Sequence, residues 1–144
     1  YGPAGNQHFP GTTEFINGLF GSQGVYRYLD EYTKPNRDSY YIQPSSVSAK
    51  DITNITSDAG INIRTINVQH GSVPALAWRI EIDGKSMVFS GDTNGNDGNL
   101  EKIAQQADIF VAHNAVPEGA TGIARQLHMP PSVIGKIANK AHVN

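Results

Sequence analysis

The 144-residue sequence predicts a mixed α/β layered fold, on three observations. Two strand-like runs, "LAWRIEI" and "SMVFS", flank "DGK", and Asp83-Gly84 is a favoured pair for a tight hairpin turn. A short apolar run, "DIFVA", follows the helical "NLEKIAQQA", which makes a strand–helix–strand unit. "PPSVIGKIANKA" then reads as a helix with Pro131 near its first turn and Val133, Ile134 and Ile137 inward. Helices, a β-hairpin and alternating strands and helices bury their apolar faces most simply as stacked layers.

Taken in order, residues 1–11 read as a loop, with turn signals on both sides of His8. Thr12 or Thr13 is placed to cap a helix whose apolar face is Phe15, Ile16, Leu19 and Phe20. Gly21 and Gly24 interrupt it, and a second helical stretch carries Val25, Tyr28 and Leu29. "TKPNRDS" is a polar loop. "YYIQP" and "INIRTINV" are rich in aromatic or β-branched residues and read as strands. In the latter, Ile61, Ile63, Thr65 and Asn67 share one face, and Asn62, Arg64, Ile66 and Val68 the other. Gly122 to Leu127 makes at most a short helix.

Composition narrows the function. With 38% hydrophobic and 17% charged residues, the chain has the make-up of a globular domain. A net charge of −2 shows no global bias toward nucleic acid. No apolar run has the length of a membrane span, and "YGPAGNQHFP" has neither the basic start nor the apolar stretch of a signal peptide. Cysteine is absent, which excludes disulfides, thiolate metal sites and a cysteine nucleophile and leaves the compartment open. Any metal must be held by His, Asp or Glu.

Three polar residues stand just beyond the ends of predicted strands: His70 after "TINVQ", Asp92 after "MVFSG" and His113 after "DIFVA". His128 sits in the next loop, before a helix. In α/β sheets such positions line the ligand crevice. Taken singly, each has an ordinary reading: a loop histidine, a strand terminator, or for Asp92 a turn residue or helix cap. Asp92 is several residues from the following helix, and Asn96, Asp97 and Asn99 are better placed to cap it. His8 and His142 read as surface residues. A metal site accounts for the set together, since imidazole and carboxylate suit zinc, manganese or iron. A carboxylate can also bridge two metals if it is held still, and Ser90, Gly91 and Thr93 offer hydroxyl and backbone donors around it.

These motifs resemble the metallo-β-lactamase-fold hydrolases. "SGDT" after an apolar strand is similar to their bridging-aspartate motif, and "HGSVPALAWRI" to the segment led by a metal-binding histidine. "YGPAG", "ADIFVAHNA" and "LHMPPSVIGKIANKAHV" resemble segments of the branch that contains tRNase Z, arylsulfatase-like enzymes and cyclic-nucleotide phosphodiesterases. The resemblance implies the four-layer αββα sandwich, with residues 1–144 as a single partial domain covering its interior and C-terminal portion. It implies a site with two metal ions, zinc first, with manganese or iron as alternatives. His70 would be a metal ligand, Asp92 a bridging ligand, and His128 the residue that contacts the scissile group and protonates the leaving group. His113, Ser90 and Thr93 would support them, although Asn114 replaces the glutamate usual after His113.

The family's His-x-His-x-Asp-His motif and its last metal-binding histidine are not in the sequence. They would lie before Tyr1 and just after Asn144, so the chain is expected to be part of a larger hydrolase, with little catalysis of its own and no metal bound as one outcome. Small phosphodiesters or sulfate esters are the expected substrates. tRNA is less favoured, because only a hairpin joins His70 to Asp92 and leaves no room for a tRNA-binding arm. The alternatives are a tRNase Z-like RNA-processing nuclease, or a non-catalytic remnant or interaction module that forms homo-oligomers or pairs with the missing half.

Overall fold

The structure, a computed structural model, describes residues 1–35, 40–58 and 60–144. They form two compact units, Tyr1–Ser48 and Ala49–Asn144.

In the first unit, strand β1 (Gly2–Pro3) pairs in parallel with β2 (Ser46–Val47), so the expected loop at 1–11 contains a short strand. Helix α1 spans Thr12–Phe20. Gly11, not a threonine, occupies its N-cap position. The capping oxygen comes from far along the chain: the Ser46 hydroxyl accepts the Thr13 N–H at 2.9 Å. Thr12 instead donates its hydroxyl to the Pro3 carbonyl. The second helical stretch is a 3₁₀ segment, Arg27–Thr33. "YYIQP" forms no strand; the Ile42 N–H goes to the Tyr32 carbonyl. Of the "TKPNRDS" loop, residues 36–39 lie outside the described residues.

The second unit holds a five-stranded sheet in the order β3 (Thr53–Asp58), β4 (Ile61–Val68), β5 (Ala75–Ile82), β6 (Lys85–Phe89), β7 (Ile109–Val111). The hairpin forms as expected: Asp83 and Gly84 both have positive φ, which gives the turn the twist that two antiparallel strands need. β6 and β7 are parallel, and α2 (Asn99–Ile103) makes the crossover between them. α2 is shorter than the "NLEKIAQQA" run. Gln106 turns into the left-handed region and gives its N–H to the Ala141 carbonyl, which ends the helical path. β3 has no apolar alternation in "TNITSD" and forms by pairing along β4, with a bulge between Asn54 and Thr56. α3 (Gly122–Leu127) and α4 (Pro131–Lys140) complete the unit, with Pro131 at the first helical position of α4. Glu118 accepts the Ser132 N–H at the start of α4, and this contact with Ser132 holds its carboxyl below the usual range. No helix among the described residues is long and apolar enough to cross a membrane.

Strand alternation gives the sheet two faces. Ile66, Val68, Ala77 and Val88 lie on one, under Leu100, Ile103 and Ala104 of α2 and its end and Ile137 of α4. Met129 is fully buried in the same core, with Val133 and Ile134 partly buried against it, as the inward pattern of α4 requires. On the other face stand Ile80, Ile82, Met87, Phe89 and Ile109, which line a groove of about 340 Å³. Phe89 is 36% and Ile109 49% exposed there.

Asp108 ties the starts of β6 and β7. It accepts from Lys85 Nζ at 2.9 Å, from the Ser86 N–H at 2.8 Å and from the Ser86 hydroxyl at 3.0 Å. Lys85 and Ser86 together lower its pKa from 3.8 to about 2. A depressed folded value means that the contribution to stability is complete above 3.8 and is lost as pH falls through about 2. Thermal melts across acid pH should therefore show Asp108→Asn melting lower than the parent near neutrality, with the gap closing toward about pH 2. A gap independent of pH would show that the carboxylate charge is irrelevant.

The partly exposed apolar face generates a second expectation: the 144-residue chain should self-associate at micromolar concentration. Sedimentation velocity should detect species larger than a monomer, and Phe89→Lys with Ile109→Lys should shift them to monomer. A parent chain that sediments as a monomer would show that this face does not drive association.

Candidate functional site: a His–Asp–His cluster at the strand ends

His70, Asp92 and His128 come together beyond the ends of β4, β6 and α3. One ligand-type atom from each lies within 4.8 Å of the others. His113, just beyond β7, reaches the same place through Asp92.

His70 is held by its own hydrogen bond. Its Nδ1 lies 2.9 Å from the Leu127 carbonyl. A carbonyl can only accept, so Nδ1 carries the proton and, in the neutral ring, Nε2 presents a lone pair. That Nε2 faces Asp92 Oδ2 at 3.9 Å. The ring is well shielded, with 12% of its side chain exposed. A histidine ligand to a metal needs this arrangement: one nitrogen donating to a fixed oxygen, the other free.

Asp92 sits in a loop shaped by Gly91. Gly91 has φ +60, and a Cβ there would run into the Leu76 carbonyl oxygen, so a side chain is excluded by conformation and by space. The carboxylate is 49% exposed. Its Oδ1 pairs with His113 Nδ1 and its Oδ2 faces His70.

The Ser90 and Thr93 hydroxyls, expected as donors to the Asp92 carboxylate, act on the backbone instead. Ser90 Oγ donates to the Gly91 carbonyl at 2.7 Å and accepts the His113 N–H at 2.9 Å. Thr93 Oγ1 donates to the Gln69 carbonyl at 2.9 Å and accepts the Gly95 N–H at 3.1 Å. Both residues are buried, and a hydroxyl has a single proton, which is already placed. They shape the loop, and of the three expected supporting residues His113 is the one that touches the carboxylate.

His128 is fixed from both sides. Leu127 before it accepts from His70, and Met129 after it is fully buried in the core. Its ring centroid lies 5.1 Å from that of His70 and 5.4 Å from that of His113. Its Nδ1 is buried and has no hydrogen-bond partner among the described residues. An orphaned buried nitrogen on a ring that shares its cluster with a carboxylate and a second imidazole fits a site that takes a further group, a cation or a substrate oxygen. His8 and His142, both exposed, are not part of the cluster.

Sequence reasoning overlooked Asn94. It is 4% exposed, and its Nδ2 donates to the Gln126 carbonyl at 2.7 Å. The one signal in the sequence was an amide side chain two residues past the aspartate, which reads as an ordinary turn residue.

In the second unit, a five-stranded sheet with helices on one face, His70, Asp92 and His113 beyond its strand ends and His128 at the end of α3 make a metallo-β-lactamase-type scaffold. The profile of the Beta-lactamase superfamily domain matches residues 8–143, and the chain belongs to that family. Among solved structures it is similar to human tRNase Z, short form, with a TM-score of 0.58 and 14% identity over 65% of this chain and 37% of that one. It is also similar to the metallo-β-lactamase-fold protein YhfI from Bacillus subtilis, with a TM-score of 0.60 and 17% identity over 83% of this chain and 47% of that one. At these identities the likeness speaks for the fold. The chain spans less than half the length of either structure. No curated protein matches it.

Gly91→Ala should displace the aspartate loop and cost on the order of 1–2 kcal/mol for the left-handed conformation alone, with the overlap on Leu76 in addition. Chemical denaturation measures the loss. A variant as stable as the parent would mean that the loop has another conformation open to it.

Proposed function

We propose that this chain is part of a metal-dependent hydrolase acting on small phosphodiester or sulfate esters. The observation that supports this reading best is the convergence of His70, Asp92 and His128 at one end of the sheet. His70 and Asp92 would hold the metal, with Asp92 bridging where two ions are present. Zinc suits an imidazole and a carboxylate, and manganese or iron suit the same donors. When bound, the metal supplies Lewis acidity and a water of lowered pKa.

The chain's own residues prepare the rest. Leu127 keeps the His70 proton on Nδ1, so Nε2 is available as a donor of its lone pair. His113 occupies one carboxylate oxygen of Asp92 and leaves the other toward His70. His128 stands against both rings, where it can contact the scissile phosphate or sulfate and protonate the departing oxygen. Asn114 has no proton to exchange near neutrality, so it cannot serve as an acid or base beside His113.

Small esters are favoured over RNA for two reasons. His70 and Asp92 are joined by the β5–β6 hairpin with no inserted arm, and the net charge of −2 offers no broad attraction to a polyanion.

Zinc titration of the purified chain followed by calorimetry tests the assignment. Zinc should bind, and His70→Ala and Asp92→Ala should each weaken it by at least about tenfold. His128→Ala should retain most of the zinc affinity, whereas a comparable loss would make His128 a ligand. The chain alone should turn over bis(p-nitrophenyl) phosphate slowly at best, since zinc sites usually use three or four protein ligands. No zinc binding at all would favour a non-catalytic module of the same fold.

A further inference from the structure

We propose that Asn94 is a positioning residue that sets the spacing of the His–Asp–His cluster and the tautomer of His70. The inference rests on the metal-site reading above for its importance, and on hydrogen bonds for its substance.

A buried amide side chain is unfavourable unless its polar atoms are paired. Both ends of the Asn94 side chain are: Nδ2 donates to the Gln126 carbonyl at 2.7 Å, and Oδ1 accepts the Asn96 N–H at 3.0 Å. Its backbone N–H donates to the Gln69 carbonyl at 2.9 Å, and its own carbonyl faces the Arg125 guanidinium at 3.4 Å. Gln69 immediately precedes His70, and Gln126 stands two residues before His128. Asn94 itself is two residues past Asp92. One residue therefore joins the three segments that carry the cluster.

The bond to Gln126 has a consequence for chemistry. Gln126 adjoins Leu127, whose carbonyl holds the proton on His70 Nδ1. If the segment 126–128 drifts from the aspartate loop, that carbonyl drifts too, and the neutral ring of His70 becomes free to carry its proton on Nε2, the nitrogen that faces Asp92. A short side chain with a donor and an acceptor is needed. Alanine has neither, and aspartate keeps the acceptor but turns a carboxylate oxygen toward the Gln126 carbonyl.

The test uses the full chain without metal and with zinc. Long-range proton–nitrogen spectra of the imidazoles should show His70 in the Nδ1–H form, and Asn94→Asp should produce a mixture of the two tautomers. Zinc affinity should fall by about 10- to 100-fold in Asn94→Asp, while Asn96→Ala, an exposed neighbour, should leave it unchanged. A folded Asn94→Asp chain with an unchanged His70 tautomer overturns the assignment, whatever its zinc affinity. A parent chain that binds no zinc would count against the metal-site reading alone, because the tautomer measurement is made without metal. If neither Asn94→Asp nor Asn94→Ala folds, hydrogen exchange in the parent decides. Protected side-chain amide protons on Asn94 support the role, and exchange as fast as that of Asn96 overturns it.

Discussion

The carbonyl oxygen of Gln69 accepts two hydrogen bonds, from the Asn94 N–H and from the Thr93 hydroxyl. This double acceptance fastens the end of β4 to the loop that leaves β6, although β5 lies between those strands in the sheet. Most of the cluster depends on it. With Gln69 held, His70 emerges at a fixed height above the sheet, and Asp92 emerges beside it. Each bond is worth only on the order of 1 kcal/mol net. Their value lies in direction, since the two donor residues, Thr93 and Asn94, are buried.

The sheet beneath serves this arrangement unequally on its two faces. One face is sealed by α2 and α4, with Ile66, Val88, Leu100, Ile103, Met129 and Ile137 all essentially inaccessible. Met129 belongs at once to this core and to the segment of His128, so core packing and site geometry are linked through a single peptide unit. Gly95 is part of the same link: a Cβ there would press on Ile137, Met129 and Val133. The opposite face keeps a row of isoleucines, a methionine and a phenylalanine in partial contact with solvent. In the second unit the helices and the five-stranded sheet make two layers, and the chain spans less than half the length of either matched structure.

The electrostatics of the cluster suit an ion or an ester better than an apolar ligand. A half-exposed carboxylate stands among three imidazoles, and one buried imidazole nitrogen has no partner among the described residues. Such a nitrogen is costly unless something completes it. Away from the cluster the charges are paired locally: Lys85 with Asp108, and Arg64 and Arg79 with Glu81. Those pairs satisfy their charges on the sheet, and they leave the polar chemistry of the cluster as the feature that calls for a function.

What the sequence determined by itself was the local structure and the list of candidates. The "DGK" hairpin, β4 over "INIRTINV", the inward face of α4 and the strand-end places of His70, Asp92 and His113 all follow from short-range pattern and turn chemistry. Tertiary structure decided the rest, because its determining contacts join residues distant in sequence. The cap of α1 comes from Ser46, and β3 exists because β4 supplies partners for a polar run. α2 stops where Gln106 bonds to Ala141. The tautomer of His70 is set by Leu127, the Ser90 and Thr93 hydroxyls turn to backbone rather than to Asp92, and Asn94 becomes a junction of three segments. A one-dimensional pattern can mark a side chain as polar and near a strand end. Which atom it bonds depends on how the intervening chain closes in space, and that is settled only when the layers pack.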